Sequence, residues 1–191
     1  MNRPILYVAR RSFGPHSENW SGYLDFSRLS LLREVITLDT MLCPSIVTEL
    51  SDADWQHNVV VDYRGDYFTD FDYLVRRVRS VDHCNLLAVV KRPAEGQVVQ
   101  PPRAGFVFRG FDLIEAETGI SALTNCGGFD RAFTNDELKE VGLLTNLERA
   151  TDVQKTLRAE YPDEHHARCD VWAIWRFESP IELEGGPRNL S

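Results

Sequence analysis

Asn125-Cys126-Gly127-Gly128 and, later in the chain, His165-His166-Ala167-Arg168-Cys169-Asp170 gather reactive side chains beside residues that turn the backbone. A cysteine followed by glycines can present a thiolate while nearby backbone amides converge on a developing oxyanion. In that arrangement Cys126 is the nucleophile, His166 or its neighbour His165 the base, and Asp170 the group that orients the imidazole. The chain would then be a thiol-dependent hydrolase or transferase. The same residues have a plainer use: Asn125 and the glycines supply left-handed turn conformations while Cys126 packs inward as a small hydrophobe. No family-specific sequence surrounds Cys126, so the plainer use is preferred.

Metal ligation can be tried on the same residues. His166 and Cys169, joined by Cys126 and by Cys84 or His83, would make a tetrahedral thiolate and imidazole set. Structural zinc ordinarily comes with paired Cys-x-x-Cys elements, and the sequence has none. No metal and no cofactor are expected. Gly-x-Gly-x-x-Gly, Gly-Lys-Ser/Thr, Gly-x-Ser-x-Gly and His-Glu-x-x-His are also missing, which argues against the usual nucleotide-dependent and hydrolytic chemistries.

A second cluster is acidic and aromatic. Asp62, Asp66, Asp70 and Asp72 alternate with Tyr63, Tyr67, Phe68 and Tyr73. Carboxylates at this density could hold a divalent cation, but the spacing is not that of a calcium loop. Aromatic side chains among charges suit a protein-binding surface, and Tyr63, Asp66, Tyr67, Asp70 and Asp72 are its candidate contacts. The competing reading is helix-start chemistry plus core aromatics.

Composition bounds the choice. The 191 residues carry a formal charge of −8, with 43% hydrophobic and 26% charged residues. An ordinary globular mixture of this length favours one domain over residues 1–180, with 181–191 as a flexible tail. Nucleic acid is a poor partner for such a charge, and Arg76, Arg77 and Arg79 read as the solvated face of a helix. No run is long and apolar enough to span a bilayer, no secretory leader precedes Ile5, and the four scattered cysteines fit a cytoplasmic protein with reduced thiols. The preferred function is therefore non-enzymatic protein binding, as an inhibitor or immunity-type partner that neutralises a basic protein.

The elements that must position these residues follow from periodicity. Ile5 to Ala9 and Val35 to Leu38 read as strands, and Val59 to Tyr63 and Leu86 to Val90 as strands buried on both faces. Phe71, Leu74, Val75 and Val78 form one stripe of a short helix capped by Thr69, and Pro44 opens a helical turn over Ser45 to Leu50. Residues 92–104 form a loop long enough to suggest a functional role. Gly110 marks a bulge in the aromatic strand that follows, which pairs with Ile120 to Thr124 as a hairpin. Thr134 with Glu137, and Thr145 with Glu148, are capping boxes for two helices, the first with a Phe133 and Leu138 staple and a Gly142 end. Val171 to Phe177, apolar at both parities, belongs in the middle of a sheet. The fold expected is α+β: one mixed, mostly antiparallel sheet of about six strands with helices mainly on one face.

Overall fold

The computed structural model describes residues 3–61, 64–78, 82–96, 100–124, 129 and 131–179. Among them six strands form one sheet: β1 (Leu6–Arg11), β2 (Asn58–Val61), β3 (Arg64–Phe68), β4 (Cys84–Lys91), β5 (Phe106–Glu115) and β6 (Cys169–Phe177). Their order is β2-β3-β1-β4-β6-β5, and every pairing is antiparallel. Three helices accompany them: α1 (Trp20–Ser27), α2 (Phe71–Arg77) and α3 (Leu147–Glu160). The proposed tail at 181–191 lies outside the described residues.

Both parities of the central strands are apolar, so both faces of the sheet must be covered. Ala9, Leu86, Ala88, Val90, Val171, Ala173 and Trp175 point to one face, where Phe71 and Leu74 from α2, Val78 just after it, and Ala150, Val153 and Leu157 from α3 meet them. Trp20, Tyr23 and Leu24 of α1 pack against the same cluster. All three helices thus share one face. Leu6, Val8, Leu87, Val89, Trp172 and Ile174 point to the other face, which Ile36, Leu38 and Leu143 cover. Trp172 and Trp175 are both buried, as a strand between β4 and β5 requires.

That second cover explains where two expected elements went. Val35 to Leu38 is buried but is not a strand of the sheet, because its amides go to separate partners: Val35 N–H to Phe13 O at 2.8 Å and Ile36 N–H to Val141 O at 3.0 Å. The helix expected from Thr134 shrinks to a 3-10 turn, Asn135–Leu138. Its carbonyls further on are taken by the same crossing segment, with Glu140 O accepting from Arg33 N–H at 2.9 Å. The expected helical turn at 45–50 is likewise absent, since Ile46 N–H donates to Ala9 O and Pro44 O accepts from Arg11 N–H.

Other local expectations hold with shifted detail. Asp70, not Thr69, caps α2 by accepting from Tyr73 N–H, and Asn146, not Thr145, caps α3 by accepting from Arg149 N–H. In each case the cap sits one residue later than the sequence suggested, and a side-chain amide or carboxylate oxygen does the work of a hydroxyl. Gly110 does mark a bulge, with a register shift between Phe108 and Gly110. A Cβ there would lie 2.6 Å from Leu144 O, so the close approach of backbone requires glycine. The largest correction concerns Val59 to Tyr63: β2 is not buried on both faces but is the outermost strand, and Val60 is 57% exposed.

Candidate functional site

Among the described residues, those selected from the sequence do not assemble into one centre. Asp66 is buried and forms an ion pair with Arg10, whose side chain is fully enclosed. Burial works against the Arg10 charge, but Asp66 and Tyr67 beside it leave its pKa above the ordinary value. Tyr67 is also buried, stacked on Trp172 with ring centroids 5.5 Å apart, and burial raises its phenol pKa. These two side chains are core, not contact surface. Asp70 is spent as the α2 cap, and Asp72 is exposed and pairs with Arg103 at 2.9 Å. Tyr63 and Asp62 lie outside the described residues.

The thiol arrangement divides in the same way. Cys126, Asn125 and the two glycines lie outside the described residues. His166 is buried at the turn before β6, edge-on to Phe129 at 4.8 Å, with Nδ1 against the Glu115 carboxylate. Asp170 does not orient it. Its oxygens face Lys91 at 3.2 Å and Arg92 at 2.7 Å, so Glu115 occupies the role assigned to Asp170. The remaining described thiols are poor nucleophiles: burial pushes Cys43, Cys84 and Cys169 up to about 12. Among the described residues no group of three or more histidine, cysteine or carboxylate side chains is placed to hold a metal ion.

What the structure does form is a groove of about 930 Å³ at one end of the sheet. Three parts of the chain build it: the end of β1 and the loop after it, the loop at 41–49, and Arg77 of α2 with Asp82 and His83 before β4. Backbone bonds lock these together, with Ser12 N–H donating to His83 O at 2.7 Å and Arg11 N–H to Pro44 O at 2.9 Å. Its apolar side comes from Phe13, Leu42, Pro44, Ile46 and Val47, with Met41 74% exposed. Phe13 is held edge-on by Trp20 and Tyr23 of α1, at 5.5 and 5.1 Å.

The polar side of the groove is layered. His16 stacks on His83 with centroids 4.3 Å apart, and Ser12 Oγ lies 3.1 Å from His16 Nε2. Glu18, Glu49 and Asp82 line the groove against two guanidiniums, Arg11 and Arg77. Arg77 is already committed: its Nε donates to Asp54 at 2.9 Å and its terminal nitrogen to Glu49 O at 2.6 Å. Burial alone would raise the Asp54 carboxyl, but hydrogen bonds from Arg77, Tyr73 and Ser51 hold it well below the usual range. Arg77 is thus engaged from behind by Asp54, and among the described lining residues Glu18 and Glu49 stand beside Arg11. No periodic pattern could reveal the groove, because its walls are three parts of the chain far apart in sequence.

Comparison with protein-family models, curated proteins and solved structures finds no match for this chain.

Proposed function

We propose that this chain is a non-enzymatic protein-binding module that receives a basic, apolar-faced segment of another protein in the groove lined by residues from 11–18 and 41–49 with Arg77, Asp82 and His83. The observation that carries the reading is the pairing of an apolar wall, tipped by the exposed Met41, with the carboxylates of Glu18 and Glu49. An unbranched thioether adapts to varied apolar partners, and grooves of this kind take amphipathic segments through spaced apolar anchors. The acidic lining and the formal charge of −8 favour a cationic polar face on that segment.

The test uses two synthetic peptides of equal length and helicity with leucines at i, i+3, i+4 and i+7, one with lysine and one with glutamate on the polar face. The lysine peptide should bind, and Glu18→Gln with Glu49→Gln should weaken it about tenfold or more, as loss of two steering charges at low salt implies. Equal affinity for both peptides, or binding indifferent to the two substitutions, contradicts the reading.

A further inference from the structure

His16 and His83 belong to two different walls of the groove, the loop after β1 and the approach to β4. Their rings lie face to face, with centroids 4.3 Å apart and planes 16° from parallel. Both are tied to Ser12, whose amide donates to His83 O at 2.7 Å and whose hydroxyl oxygen lies 3.1 Å from His16 Nε2. His83 holds a left-handed backbone, φ 54°, which is costly for a residue with a Cβ and persists where the surroundings impose it. The stack is thus held through Ser12 on both sides.

Each ring lines two recesses, the groove of about 930 Å³ and a smaller one of about 400 Å³. In the groove its ionisable neighbours are Arg11, Glu18, Glu49, Arg77 and Asp82, and in the smaller recess Arg33, Glu34 and Cys84. Arg77 is engaged by Asp54, Arg33 by Glu140 and Glu34 by Arg176. Burial pushes the Cys84 thiol up to about 12, so it stays neutral, while carboxylates and guanidiniums of ordinary affinity for protons keep their charges between pH 5 and 8. Imidazole is the side chain whose charge changes in that interval. Both rings are exposed, so protons reach them freely.

We propose that the stacked pair makes the groove acid-sensitive, so that a basic segment held at neutral pH is released as pH falls toward 5; the proposal rests on the groove's role as receiver of such a segment. Neutral imidazoles share a stack readily. Two imidazoliums in face contact repel each other and bring positive charge beside Glu18 and Glu49, the carboxylates that would otherwise meet the segment's cations. By linkage, a cationic ligand binds the unprotonated groove better, so its affinity is full above the imidazole range and lost as pH falls through it.

Calorimetric titration of the whole chain with the leucine–lysine peptide, at about 20 mM salt and at pH 7.5 and pH 5.5, tests this. The dissociation constant should rise about fivefold or more on acidification. With His16→Gln and His83→Asn combined, asparagine being tolerant of the left-handed backbone, it should stay level between the two pH values, whatever its value at pH 7.5. Asp112, whose buried carboxyl is raised to about 6, is common to both proteins, so the contrast reports the imidazoles. In the free wild type, Overhauser contacts between the two rings should be present at pH 7.5 and lost at pH 5.5. Equal binding at both pH values, a double variant that loses as much as the wild type, or rings still in contact at pH 5.5 overturns this proposal alone. Absence of binding at either pH overturns the reading of the groove together with it.

Discussion

Asp112 is fully enclosed, and its two oxygens accept from Thr37 and Ser121 hydroxyls and from the Leu38 and Leu113 amides. Burial outweighs those donors and raises its carboxyl to about 6. Because the folded pKa lies above the unfolded one, the folded state holds the proton longer. Stability then falls as pH rises from about 4 to about 6, by on the order of 3 kcal/mol for this group. Denaturant midpoints across that range should show the stability of Asp112→Asn rising relative to wild type, and a pH-independent difference contradicts the account. At the same scale, three thiols pushed up to about 12 should be inert. Iodoacetamide on the native protein should add at most one label per chain, at Cys126, and mass spectra with two or more labels before unfolding would refute this. Residue types alone could not separate these uses. Asp66 and Tyr67 looked like surface chemistry because nothing in their neighbours announces that Arg10, far away in sequence, lies buried against them.

At the scale of elements, sequence was informative wherever a pattern is local. The stripe Ala150, Val153 and Leu157 specifies α3, and the double-sided apolar run of β6 specifies a central strand. Patterns that depend on a distant partner were not legible. Val35 to Leu38 has strand composition, yet its amides serve Phe13 and Val141, and the first of the two expected helices lost its carbonyls to that same crossing segment. Cap identity is another local matter that geometry decides by one residue. Asn146→Ala should cost about 1 kcal/mol, because Arg149 N–H loses its acceptor, while Thr145→Ala should cost little. Thermal or denaturant unfolding of the two variants measures the contrast, and equal losses would return the cap to Thr145.

For the whole molecule, the antiparallel sheet with three helices on one face leaves a surface that burial does not explain, the groove. The six-stranded α+β class could be read from the spacing of apolar runs, but the groove could not, since three loops meet there only after the strands have paired. Its proposed role rests on an exposed methionine in a groove also lined by Glu18 and Glu49. The chain has two methionines, Met1 and Met41, so carbon-13 labelling of the methyl groups gives a reporter inside the groove with almost no background. Titration with the leucine–lysine peptide should shift and saturate the Met41 signal, the shift should diminish with added salt, and the leucine–glutamate peptide should leave it in place. A Met41 signal that ignores the basic peptide, or responds equally to both, contradicts the claim that this groove receives a basic apolar-faced segment.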